Sequence, residues 1–130
     1  MMLVARMDNQ ITCHYPENGR DNYQLGEILT SLLAEVVQAT GVSHDELFTP
    51  TRLRRIAIAR HLFCFIARKN IQLFSLREIS DVFGIDHSTV SHACRNIENM
   101  LQLTDYVSQM VQLQYLEILG FDFCNLKIES

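Results

Sequence analysis

No apolar run in the chain approaches the roughly 18 residues that a membrane-spanning helix needs, so a transmembrane protein is not expected. The opening stretch MMLVARMDNQ carries no charged leader ahead of a long apolar segment, so no secretory signal is expected either. The four cysteines (Cys13, Cys64, Cys94 and Cys124) form no CxxC pair. Free thiols in a reducing compartment follow, with Cys64 and Cys94 on apolar helix faces. His61 and Cys64 lie three positions apart and His92 and Cys94 two apart, but no compact four-ligand spacing exists, so no metal is expected. Asp86, His87 and Ser88 are adjacent and cannot converge as a nucleophile and its base, so no catalytic residues and no enzyme are expected. A phosphate loop of the form GxxxxGK(S/T) is also missing, which excludes nucleotide hydrolysis by that device.

A basic excess is missing too: the formal net charge of the 130 residues is -4. The distribution is less even than the total. Residues 51–100 hold eight basic and four acidic side chains, net +4, and the rest hold three basic and eleven acidic, net -8. A positive centre between negative ends is the asymmetry of a chain that turns one face to phosphate. At 48% hydrophobic and 20% charged, the chain can build one core.

The most informative stretch is Phe74–Leu103, FSLREISDVFGIDHSTVSHACRNIENMLQL. Ser75 with Glu78 three residues on is a capping box, and Leu76, Ile79, Val82 and Phe83 form one helical face that Gly84 ends. Asp86 is a second N-cap, with Thr89 three residues later. Val90, Ala93, Cys94, Ile97 and Leu101 then make a second buried stripe. Two short helices across a glycine-containing turn spell a helix-turn-helix. By subtraction, Ser88, Ser91, His92 and Arg95 face outward, with His87 and Thr89 in the first turn. Short hydroxyls, imidazoles and an arginine at the start of a recognition helix suit base edges in a major groove, and the free N–H groups there suit a phosphate oxygen.

The run IDHSTVSHACRNIE, after SLREISDVFG and TRLRRIAIARHL, resembles the C-terminal DNA-binding domain of the bacterial replication initiator DnaA. Asp86, His87, Ser88, Thr89, Val90, His92 and Ala93 match that family's recognition-helix signature position by position, and the likeness covers roughly residues 28–103. It implies an all-α, Trp-repressor-like fold of about five or six helices, cytoplasmic and nucleoid-associated, that binds double-stranded DNA as a monomer at an asymmetric, DnaA-box-like, A/T-rich site, with no cofactor. An arginine of the family's basic segment enters the minor groove, and Arg52 aligns there, with Arg54 next. Two departures stand out. The turn Phe83-Gly84-Ile85-Asp86 is one residue shorter than the family's, and Ile85 replaces its basic residue. The initiator's ATPase signature does not occur in these residues.

The remaining chain frames this motif. Residues 1–21 are expected to be an extension with a turn at Pro16–Gly19, and either short extended pieces at Met2–Ala5 and Ile11–Tyr15 or a loose tail. A helix is expected from Asn22 to Ala39, with Leu25, Ile28, Leu29, Leu32, Leu33, Val36 and Val37 on its apolar face. Ser43 and Glu46 box a short helical turn. A long helix is expected from Thr51 to about Asn70, apolar on most sides, with Arg60 contributing its aliphatic stem. Arg52, Arg54 and Arg55 crowd its N-terminus, the wrong end for the helix dipole, a break in a local rule that phosphate would repair. Thr104 is the expected cap of a last helix, apolar on more than one face, which either closes the core or leaves a surface for dimerisation. The tail 121–130 alternates as a short strand would. The domain is thus residues 22–120 with extensions on either side. The candidate DNA-binding residues are Arg52, Arg54, Arg55, Asp86, His87, Ser88, Thr89, Ser91, His92 and Arg95. The competing reading is a protein-interaction module that keeps the helices and has lost specific DNA binding.

Overall fold

The computed structural model describes residues 22–120, so the expected extended pieces of 1–21 and the strand in 121–130 lie outside the described residues. Those described fold as helices only: α1 (Asn22–Thr40), α2 (His44–Leu47), α3 (Arg54–Phe65), α4 (Leu76–Phe83), α5 (His87–Met100) and α6 (Tyr106–Leu119). None of them is long and apolar enough to cross a membrane.

Local chemistry sets most of the boundaries. Ser43 and Ser75 accept from the backbone N–H groups of Glu46 and Glu78, whose carboxylates take the Ser43 and Ser75 N–H groups in return. Both predicted capping boxes are formed, and each satisfies two N–H groups that a helix start leaves open. Gly41 ends α1 and Gly84 ends α4, both at positive φ (76° and 67°). At the second of these, Gly84 and Ile85 both donate to the Ser80 carbonyl, which closes a Schellman turn and brings Ile85 against the core. The side chain that stands in for a basic residue is therefore a packing residue.

Helix α3 is central, touching α1, α2 and α5. Ile56, Ile58, Ala59, Leu62, Phe63, Cys64 and Phe65 are all buried, a helix apolar nearly all round as a core helix must be. Burying Phe63 completely contributes about 2–3 kcal/mol. Two expectations about this helix are corrected. It begins at Arg54, because Thr51–Leu53 stay outside the helix and Leu53 (ψ 128°) takes the N-cap position. Its last stretch is not α-helical: Ile66–Ile71 forms a π-helical segment that ends at Gln72 in the left-handed region (φ 64°). The wider turn buries Ile66, Ala67, Asn70 and Ile71 and leaves Arg68 and Lys69 exposed. Asn70 then meets the buried hydroxyl of Tyr115 on α6 at 3.0 Å.

The start of α6 also moves by one residue. Asp105, not Thr104, is the cap, accepting from the backbone N–H and hydroxyl of Ser108 at 3.1 and 2.7 Å. Gln112 donates to the carbonyls of Met100 and Leu103, tying α6 to the end of α5.

Replacing Gly84 by alanine tests the turn. A Cβ there would meet nothing within 4 Å, so the cost is purely conformational. A loss of about 1 kcal/mol in urea unfolding is expected, with the slope of the transition unchanged.

Candidate nucleic-acid interface

The first turn of α5 is organised by one carboxylate. A single oxygen of Asp86 accepts from the Thr89 N–H at 2.8 Å, the Thr89 hydroxyl at 2.7 Å and the Ser88 hydroxyl at 2.9 Å. These hydrogen bonds, those from Thr89 foremost, hold the Asp86 carboxyl below the usual carboxylate range. Each hydroxyl has one proton, and both are spent on Asp86, so what Ser88 and Thr89 offer outward is lone pairs. Asp86 thus caps the helix as expected and also sets the polarity of its neighbours.

Along α5, His87, Ser88, His92 and Arg95 are exposed and Ser91 is half-buried, so the polar face read by subtraction is present. His92 stands edge-on to His61 of α3, ring centres 6.1 Å apart. His61 is itself half-buried and shares a 3.0 Å hydrogen bond with the Asn96 amide. Burial first, then the nearby charges of His92 and Arg60, push the His61 imidazole down to about 4. A neutral imidazole therefore sits beneath the recognition helix. Sequence reasoning considered His61 only as a metal ligand. Among the described residues, no group of three His, Cys, Asp or Glu could hold an ion.

The basic segment approaches the same helix through a cleft. An open cavity of about 640 Å³ lies between the loop from Leu47 to Arg52, helix α3 (Ala57, Arg60, His61, Cys64) and the helix-turn-helix (Phe83, Gly84, Ile85, Thr89, Ala93). Arg52 and Thr89 share its lining. The loop is held by Arg60, whose guanidinium donates to the carbonyls of Leu47, Thr49 and Thr51 at 2.9, 3.1 and 3.0 Å. Arg60 thus does more than lend its stem to an apolar face. It satisfies three backbone acceptors that the loop cannot pair within itself.

The three clustered arginines part company. Arg52 is exposed on the cleft. Arg55 pairs with Glu46 of α2 at 2.8 Å. Arg54 lies near Asp105, where it adds to the hydrogen bonds that keep that carboxyl low. Neither Arg54 nor Arg55 lines the cleft. Two cations that sequence reasoning left out, Arg68 and Lys69, lie near Cys94 of α5, close enough to oppose the rise that burial imposes on its thiol. Their run of basic residues was visible in the sequence, but the π-turn that brings them beside α5 was not. Cys64 and Cys94 are both free and buried, and the Cys94 thiol points at the Cys64 carbonyl at 3.7 Å.

The family model described as the bacterial DnaA protein helix-turn-helix matches residues 30–97. Similar proteins include the chromosomal replication initiator protein DnaA of Pseudothermotoga lettingae, 33% identical over 84 residues that make up 65% of this chain and 18% of that protein. The initiator of a Picosynechococcus species is 36% identical over 81 residues, 62% of this chain and 18% of its own. The protein named DnaA 2 from Chlamydia pneumoniae is 31% identical over 90 residues, 69% of this chain and 20% of its own. The chain spans about a fifth of the length of these relatives. No solved structure matches it significantly.

Two groups make stability depend on pH in separable ways. His61 titrates at 6.5 when unfolded and about 4 when folded, so between these values the unfolded chain binds the extra proton and stability falls as pH falls. Asp86 has a lowered folded pKa, so its contribution is present above the unfolded value of 3.8 and disappears as pH drops through the folded one. Urea midpoints measured from neutral pH downward should decline first between 6.5 and about 4, and His61→Leu should flatten that limb. Asp86→Ala should lower the urea midpoint at neutral pH through the loss of an N-cap, and the difference from the parent should close as pH falls below 3.8.

Proposed function

The chain belongs to the family of bacterial DnaA helix-turn-helix domains, and from that premise we propose that it binds double-stranded DNA sequence-specifically, as part of replication initiation or its control. The domain is residues 22–120, flanked by extensions 1–21 and 121–130. Helix α5 lies in the major groove and presents its first turn to base edges. Arg52 reaches the minor groove or its phosphates. The site is A/T-rich and DnaA-box-like, no cofactor takes part, and the protein works at the nucleoid in the cytoplasm.

The observation that carries this reading is the shared cleft, which joins the basic loop at Arg52 to the recognition helix at Thr89. A duplex groove is read from one side, so base-contacting and phosphate-contacting groups must lie on one continuous surface. The chemistry of the α5 turn supports it further. Asp86 and the lone pairs of Ser88 and Thr89 form an acceptor array, the complement of the amino groups of cytosine and adenine. One and two turns on, His92 and Arg95 add donors, and Arg95 suits guanine O6 and N7. His87 and Ser91 flank this line. Arg68 and Lys69 place two more charges beside α5, within reach of the same backbone.

The alternative, a protein-interaction module, draws on the pairing of Arg55 with Glu46, the placement of Arg54 near Asp105, and Ile85 packed against the core where the family has a cation. Each lowers the free positive charge available to phosphate.

Fluorescence anisotropy with a labelled DnaA-box duplex and a scrambled duplex, titrated across salt, separates the two. Box-selective binding with a steep salt slope is expected. Arg95→Ala should cost about 1–3 kcal/mol on the box and relax selectivity, whereas Arg52→Ala should weaken binding and reduce the salt slope by about 1. An absence of binding at low salt would overturn the DNA reading in favour of the interaction module.

A further inference from the structure

The outer side of α6 takes no part in the surface described so far. Tyr106, Met110, Leu113 and Glu117 recur at i, i+4, i+7 and i+11, one line along the helix opposite the buried Val111, Tyr115 and Ile118. Tyr106 is 76% exposed, Leu113 68%, Leu116 58% and Met110 41%. Leu103, 51% exposed, leads into the same end. Together these side chains show roughly 500 Å² of apolar surface, the larger part of the about 800 Å² that each partner buries in a stable interface.

Charge says what kind of partner fits. Glu117 is the single charged residue of α6, and the polar groups beside the stripe are glutamines. Such a face repels neither acidic nor basic neighbours and suits a copy of itself. Its two ends are also complementary. At the C-terminal end, Glu117 lies close enough to Glu35 of α1 to raise that carboxyl's pKa, second to burial. Among the described residues, neither carboxylate has an ion-pair partner. At the N-terminal end lies Arg54, exposed and away from the DNA-facing cleft, beside an Asp105 already bonded to Ser108.

We propose that α6 is a homodimer interface, in which two copies pair antiparallel through Tyr106, Met110, Leu113 and Leu116, with Arg54 of each beside Glu117 of the other. A two-fold axis across the middle of α6 makes the contact self-complementary and the helices antiparallel. Asp105 and Glu117 are separated by twelve residues, about 18 Å along the helix, so that axis sets Glu117 of one copy against the Arg54 end of its partner. Parallel pairing would instead oppose Glu117 to Glu117. The inference does not rest on DNA binding, and its test contains no DNA.

The test is sedimentation equilibrium of the full 130-residue chain from micromolar to sub-millimolar concentration. A reversible dimer is expected. Leu113→Glu should raise its dissociation constant about tenfold or more while leaving thermal melting of the dilute chain unchanged, because Leu113 is outside the core. Glu117→Arg should weaken the dimer several-fold, and adding Arg54→Glu to it should restore association. A chain that stays monomeric throughout, or a dimer that ignores Leu113→Glu, would overturn the proposal. So would a monomer whose melting falls on Leu113→Glu, because the face would then be covered by residues outside 22–120 of the same chain.

Discussion

The burial of α3 is the constraint on which the other elements depend. From Ile56 to Phe65 almost every side chain is taken out of water, and three different helices supply the cover. Removing any one of them would expose part of α3 that no rotation could hide. The recognition helix is among the three, so its orientation is fixed by the same burial that holds the domain together. Val90, Ala93, Cys94 and Ile97 lock α5 onto α3, and its polar face is whatever remains. A binding surface built this way lies on a rigid element and inherits the stability of the core.

That surface has a second support. The loop ahead of α3 contains Pro50 and three open carbonyls, and α3 itself cures the deficit by reaching back with Arg60. A buried or half-buried carbonyl without a partner is costly, and a planar guanidinium with five donors can serve several at once. The consequence reaches Arg52, which follows the last of the three carbonyls by one residue. Its backbone is positioned by an arginine that faces the other way, toward the interior of the loop.

How far the sequence could be read depended on the distance over which each interaction acts. Ser43, Ser75, Gly84 and Asp86 mark helix ends through partners within five residues, and the predicted ends agree with the structure there. The start of α3 is different. Thr51 after Pro50 reads as the first residue of the helix, and the side chain that takes its carbonyl instead, Arg60, is nine positions away. The π-turn at Ile66–Ile71 left no periodic trace, because six residues are little more than one turn, too few for a period to separate one winding from the other. Thr104 and Asp105 are both competent caps, and Asp105 wins by taking the Ser108 hydroxyl as well as its N–H. The outward face of α5 was legible by subtraction. The separation of Arg52, Arg54 and Arg55 was not, since Glu46 and Asp105 reach them from other elements.

This separation resolves the clash between the helix dipole and three arginines at one helix start. Only one of the three, Arg52, is directed to the cleft, and it lies before the first turn of α3 rather than in it. Arg54 and Arg55 do stand in that first turn, where the dipole disfavours cations by a few tenths of a kcal/mol each. Glu46 of α2 offsets the cost at Arg55 through an ion pair, and the nearby charge of Asp105, the cap of α6, offsets part of it at Arg54 without pairing with it. The acidic flanks are therefore more than a diluent of positive charge. One of them holds Arg55 in an ion pair, while Arg52, one residue before the N-cap of α3, stays exposed on the cleft whose lining it shares with Thr89 of α5.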